Sequence, residues 1–303
     1  MPIELQQFRK QLIYETTELF ASITTDLDDL ATLSQLSELR KKKYGKIALY
    51  YFLGAVTLGV LNFIISGSGI ASGLVSVVIG LLNLGFIGLI IAWIYALIMR
   101  YKFSRLNIIN YRYEVTEKIL KMLARDIDKM TLVYMKLSFQ KNEINEHKVD
   151  TIPHPYKAGW KIDIYQNQWL NIQGKFLDRT RFALTVTGLS KRQYGWKRSS
   201  SGKSKHKSKV KLVGLDVNLS LIYPQRRYGA VKVLKNEVSA AIKLPKLAAV
   251  RSLKVTDKAI HLTVRIEPNV AESQEKIYQT IVAMFLSLYQ VLNLAKMLSK
   301  ETV

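Results

Sequence analysis

From Ile47 to Met99 the chain runs for 53 residues without an Asp, Glu, Lys, Arg or His, and no other feature narrows its folding choices as much. A water-soluble domain built from such a stretch would have no charged side for its helices or strands to turn to solvent. A bilayer asks for the opposite. Ile47–Ile65 (IALYYFLGAVTLGVLNFII) supplies 19 residues, about 28 Å as a helix against a hydrocarbon core of ~30 Å. Ser66-Gly67-Ser68-Gly69 then has turn composition, and Ile70–Met99 continues for 30 residues, enough to tilt or to start outside the core near Gly73. The expected arrangement is a transmembrane hairpin of two helices.

Charge flanks this stretch on both sides. Lys41, Lys42, Lys43 and Lys46 precede it, Arg100, Lys102 and Arg105 follow, and the intervening turn carries none. The excess of positive charge on cytoplasmic flanks therefore predicts an integral membrane protein with both termini cytoplasmic. Tyr50, Tyr51, Trp93 and Tyr95 fall where interfacial aromatics belong. Gly54, Gly59, Gly73, Gly80, Gly85 and Gly88 permit close helix contact, within the hairpin or between subunits. Asn62 and Asn83 are the polar groups singled out inside the apolar segments, candidates for helix pairing or for the lining of an oligomeric pore. No acid, base or histidine lies in the spans, which argues against a proton relay there.

The formal net charge is +22. Residues 1–46 hold seven bases and seven acids, whereas residues 100–303 hold 38 bases and 16 acids, so the imbalance belongs to the C-terminal part. It implies an acidic partner: anionic membrane lipid, acidic protein or nucleic acid. Cysteine is absent, which removes disulfide and thiolate chemistry. The N-terminus shows no cleavable leader and is read as retained.

The expected fold class is an α+β membrane protein: an N-terminal amphipathic helical region (1–46), the hairpin (47–99), a post-membrane helix (100–136), a basic, antiparallel β-rich cytoplasmic domain (137–268) and a C-terminal helix (269–303). Leu5, Phe8, Leu12, Thr16, Phe20, Ile23, Leu27, Leu30 and Leu33 recur at helical spacing over 4–43, with Ser34 or Ser37 as break points. Leu106, Ile109, Tyr113, Ile119, Leu120, Leu123, Ile127 and Met130 do so over 102–136. Lys161–Tyr165 and Trp169–Gln173 read as two strands joined by a short turn. Val250–Val255 and Ile260–Ile266 read as a hairpin turning at Thr256-Asp257-Lys258. Glu272–Lys300 presents Ile277, Ile281, Phe285, Leu288, Val291, Leu292, Ala295 and Leu298 on one face, and its interrupting polar residues favour packing on the sheet, or lying at the membrane interface, over a third span.

The strongest strand pair places Phe182, Leu184 and Val186 against Leu221, Leu219 and Val217, with Ser199–Gly202 as the turn. Carried to the tip without a break, that register sets Trp196 against Lys207, Tyr194 against Lys209, Lys205 against Arg198 and Lys211 against Arg192. The tip holds nine bases and no acid: Lys191, Arg192, Lys197, Arg198, Lys203, Lys205, Lys207, Lys209 and Lys211. The last five alternate, which puts them on one face of an extended strand, with Tyr194 and Trp196 beside them. These eleven residues are the candidate anion-binding set; Asn62, Asn83, Gly80, Gly85 and Gly88 are the helix-packing or pore set.

His147, His154, His206 and His261 have no metal-site spacing, and no phosphate loop, dinucleotide turn, zinc-protease or nucleophile-elbow motif occurs. No cofactor or catalytic residue is assigned, and the chain is not expected to be an enzyme. A membrane-tethered binding or scaffold protein whose basic domain meets an acidic partner fits best. An oligomeric channel and a membrane-anchored nucleic-acid binder are the alternatives.

Overall fold

A computed structural model of the protein describes residues 11–67, 73–105, 110–198, 202–269, 271 and 273–301. The fold is α+β with an antiparallel sheet and, among the described residues, three helices long and apolar enough to cross a membrane. The chain forms two compact units, Met1–Leu27 with Ile109–Val303, and Asp28–Ile108.

Among the described residues the first unit is built on eight strands: β1 (Ile13–Leu19), β2 (Leu132–Ser138), β3 (Lys148–Pro153), β4 (Lys161–Lys175), β5 (Arg181–Arg198), β6 (Ser204–Ile222), β7 (Ala248–Val255) and β8 (Ala259–Ile266). They run antiparallel in the order β1-β2-β4-β5-β6-β8-β7, with β3 also on β4. One face carries the core. Leu184, Val186, Val217, Leu219, Leu262 and Val264 are buried there. The helix Gln274–Glu301 lays Phe285 against Phe176 and Phe182. Its apolar face matches the expected residues, and Ile277, Ile281, Leu288, Val291, Leu292 and Ala295 are all buried.

Three expected elements take another form. Residues 13–19 are a strand, not part of an N-terminal helix. IYETTEL is rich in β-branched and aromatic side chains, Glu15 pairs with Lys136 at 2.8 Å and accepts from the Tyr134 hydroxyl, and buried Tyr14 donates to Asp26 at 2.8 Å. The helix expected over 100–136 is interrupted: Asn110–Leu123 is helical, 124–131 turns, and Leu132–Ser138 is β2. The expected pair 161–165 and 169–173 is the single strand β4, broken only by a bulge between Gln168 and Leu170. That bulge sends both Trp169 and Leu170 inward and reverses the phase of alternation, which in sequence imitates a turn. The hairpin around Thr256–Lys258 forms as expected.

In the second unit the long helices are α1 (Phe20–Gly67), which begins in the first unit, and α2 (Gly73–Arg105). α1 is unbroken at Ser34 and Ser37. Contacts between the two run in opposite directions along the chain: Gly45 meets Arg100, Phe52 meets Trp93, Gly54 meets Leu89, Gly59 meets Phe86 and Asn62 meets Asn83. The pair is therefore antiparallel. Its outer surface is bare hydrocarbon, with Phe63, Leu81 and Leu84 exposed. None of the apolar window in α2 is buried, against 44 % of the window in Gln274–Ser299; the third long helix uses its apolar side in the sheet's core. Of the turn expected at Ser66–Gly69, Ser66 and Gly67 are the last residues of α1, and Ser68 and Gly69 lie outside the described residues, as do Leu5, Phe8, Leu106 and Ile109.

Candidate functional site

The expected register holds from Arg181↔Ile222 through Leu184↔Leu219 to Leu189↔Gly214 and then slips. Ser190 faces Leu212, and Val213 is left without an opposite number. Gly214 sits at φ +140, and a Cβ there would fall on the carbonyl oxygen of Ile266. Only glycine suits that backbone and that approach.

The bulge decides which way the lysines point. Even-numbered residues of β5 keep to the side of the sheet that carries the core, buried from Phe182 to Ser190 and open to solvent toward the tip. Below the bulge their partners on β6 are odd-numbered (Leu215, Val217, Leu219); above it they are even-numbered (His206, Ser208, Val210). Lys205, Lys207, Lys209 and Lys211 consequently swing to the open side of the sheet, opposite Lys197, Gly195, Gln193 and Lys191. The expected partners are thus corrected: Trp196 faces His206, Tyr194 faces Ser208, Lys205 faces Lys197 and Lys211 faces Lys191. Lys203 precedes β6. The turn at 199–201 is outside the described residues.

Two different surfaces result. The open side holds Lys191, Lys197, Lys205, Lys207, Lys209 and Lys211, none with an acidic partner among the described residues. The reverse side holds Arg192, Tyr194, Trp196 and Arg198, so the two aromatics do not flank the lysines as expected. His206 lies between Tyr194 and Trp196 at ring distances of 6.0 and 5.6 Å, and Arg192 donates to Ser208 at 3.0 Å. Asp163, facing Arg192 on the reverse side, is taken by Lys148 at 2.8 Å and by the Thr151 hydroxyl. Burial alone would raise its pKa, but these partners hold the carboxyl below its ordinary range.

The residues missed by sequence are Lys157 and Trp160. A tight loop follows β3, closed by His154 N–H donating to the Trp160 carbonyl at 2.9 Å. It lays the Trp160 ring on the backbone of Gly195, where a Cβ would stand 2.6 Å from Cγ. The Trp160 indole N–H donates to the Trp196 carbonyl at 3.2 Å, and the Lys157 ammonium sits 4.5 Å above the ring. A hollow of about 420 Å³ opens beside it, with walls that include Lys157, Gln193, Lys197, Lys207 and Lys209. The signal present in sequence was Gly195, a lone glycine inside a strand pattern, which marks a close approach.

No family model, curated protein or solved structure matches the chain. Its chemistry must be read from its own residues.

Asn62 donates to Asn83 at 2.5 Å, so these two amides bind each other across the helix pair. Gly54 and Gly59 admit Leu89 and Phe86, and Gly85 admits Leu58, but nothing approaches Gly80 or Gly88. Of the glycines in the packing set, only Gly85 serves this pair.

A second polar cluster is buried in the first unit. Arg112, 1 % exposed, donates to the carbonyls of Ser138 and Gln140 and to Asn142 Oδ1, each at 2.8 Å, and lies 5.5 Å from the Trp169 ring. Burial lowers the pKa of nearby His147; Glu146 opposes this and Arg112 adds to it. These groups hold the 138–142 segment in place.

Proposed function

We propose that α1 and α2 form a transmembrane hairpin, both ends cytoplasmic, and that the chain is a membrane-tethered protein whose lysine face binds anionic lipid headgroups. The observation that carries this is the bulge at Gly214, which turns four alternating lysines away from the core and onto the open face, where none of them has an acidic partner among the described residues. Like charges set opposite each other, Lys197 with Lys205 and Lys191 with Lys211, cost a few tenths of a kcal/mol per pair, up to about 1. An anion at that face removes the cost. Each lysine near an anionic surface contributes about 1 kcal/mol, and screening makes the set worth less than the simple sum. A tethered domain is always close to lipid, which favours headgroups over nucleic acid.

The anchor is supported by the antiparallel pair itself. It gathers Lys43, Lys46, Arg100 and Lys102 at one end, where Tyr44 stacks on Phe103 at 5.7 Å and Arg40 lies over the same ring. Because cysteine is absent, single cysteines at Lys46 and Lys102 provide a test. Both should react with a membrane-impermeant maleimide from the same side; labelling from opposite sides refutes the hairpin.

For the lysine face, the full chain is placed in nanodiscs of neutral lipid and sedimented with large vesicles. Vesicles containing phosphatidic acid should carry it down, and neutral vesicles should not. Changing Lys203, Lys205, Lys207, Lys209 and Lys211 together to Gln should weaken this by at least about tenfold, ~1.4 kcal/mol, with circular dichroism unchanged. Equal docking of the variant at every salt concentration makes the lysines a solvated tip.

A further inference from the structure

Resting on the lysine-face reading and narrowing it, we propose that the hollow beside Trp160 is a discrete site for a compact group bearing at least two phosphomonoesters. Four lysines, Lys157, Lys197, Lys207 and Lys209, line it together with Gln193, so four ammonium groups lie within reach of an anion seated there. A phosphomonoester carries about 1.5 to 2 negative charges at neutral pH. Two of them match four lysines, whereas a phosphodiester headgroup with a single charge leaves most of the cations unanswered. The volume, about 420 Å³, falls within the ~300–1,000 Å³ of small-ligand pockets and suits one small ring or short polyol rather than a chain.

The position of Trp160 separates this ligand from a nucleotide. One side of its ring rests on the Gly195 backbone and Lys157 caps it, so no free face remains on which a base could stack. The ring instead acts as a wall: it fixes the loop bearing Lys157 against β5 and offers an apolar edge to the ligand's C–H groups. Lys157, held over an aromatic ring rather than by a carboxylate, stays free to turn its ammonium to an anion. Gln193 adds a neutral donor and acceptor for a hydroxyl.

The ligand can come from a phosphorylated lipid headgroup or from a free phosphorylated molecule, and the test keeps these apart. The full chain in neutral detergent is titrated calorimetrically with inositol trisphosphate and with inorganic phosphate. The same chain in neutral nanodiscs is sedimented with vesicles containing phosphatidylinositol bisphosphate or, at equal charge, phosphatidylserine. Inositol trisphosphate should bind one to one, at least about tenfold more tightly than inorganic phosphate, and the bisphosphate vesicles should outcompete those with phosphatidylserine. Gly195→Val, whose side chain would occupy the space of the Trp160 ring, should lose this binding. Lys157→Gln with Lys207→Gln, both exposed, should lose it without a change in circular dichroism. Vesicle docking without saturable one-to-one binding would overturn the hollow and leave the lysine face standing. One-to-one binding without docking would leave the hollow as a site for a soluble phosphorylated molecule and remove the headgroup reading. Undiminished binding in the double lysine variant places any site elsewhere and refutes the proposal.

Discussion

Gly214→Ala should destabilise the sheet domain by about 3 kcal/mol, more than any change among the exposed lysines. Two terms combine. A non-glycine residue forced to a positive φ of this kind costs about 1–3 kcal/mol. The new methyl would also meet the Ile266 carbonyl, a backbone atom of β8 that cannot swing aside as a side chain would. Strand β8 lies between β6 and β7, so moving it disturbs two pairings. The chain's other escape is to give up the bulge. Pairing without it would carry Lys205, Lys207, Lys209 and Lys211 to the reverse side, among Arg192, Tyr194, Trp196 and Arg198, and the open lysine face would vanish with the strain. Urea unfolding of the full chain in detergent, followed by circular dichroism, measures the first outcome; vesicle docking reports the second. If both stay within error of the parent protein, the bulge does not depend on glycine and the account of how the lysines are aimed fails.

Long-period signals survived the passage from sequence to structure better than short ones. The uncharged run, the C-terminal apolar face and the Leu184–Leu219 register depend on many side chains repeating one pattern, and tertiary packing does not reverse a pattern that long. Where a single residue changes the phase, the pattern misleads. At Gln168–Leu170 a bulge made one strand read as two. At Val213–Gly214 a bulge made one face read as the other. Glycine at 214 was the available clue, since an isolated glycine between Val213 and Leu215 on a β-branched and leucine-rich strand signals a break in pairing. Residues 13–19 misled for another reason: their apolar spacing suits a helix in the abstract, and what makes them a strand is the partner β2, more than a hundred residues away.

The lysine alternation was legible because it is local. The hollow was not, because it joins the loop at 154–160 to the two strands of the ribbon, and no spacing rule connects Lys157 to Lys207. Tyr194 and Trp196 show the converse: adjacency in sequence to a basic run placed them beside the lysines, whereas strand alternation puts them on the reverse side.

Arg112 offers the sharpest test of what holds the buried polar cluster. Its guanidinium has no carboxylate among the described residues; it is held by two carbonyls, one amide and the faces of Trp169 and Tyr111. Removing a buried cation recovers its desolvation penalty, which favours replacement by an apolar residue of similar length. Against that, the acceptors it serves lose a charge-assisted donor. Asn167 still donates to the Gln140 carbonyl and to Asn142 Oδ1, at 3.1 Å each, so the Ser138 carbonyl is the group left without this donor, at about 1–3 kcal/mol. Arg112→Met should therefore cost about 1–2 kcal/mol, the lost donor partly offset by the recovered desolvation. Arg112→Lys should cost at least as much: it retains the buried charge, yet a single ammonium on a flexible stem cannot reproduce the planar fork that reaches Ser138, Gln140 and Asn142 together, nor lie flat against an indole. Denaturant unfolding of both variants ranks them. A lysine variant as stable as the parent would mean that positive charge alone suffices here, and that the geometry of the fork contributes nothing to the placement of residues 138–142.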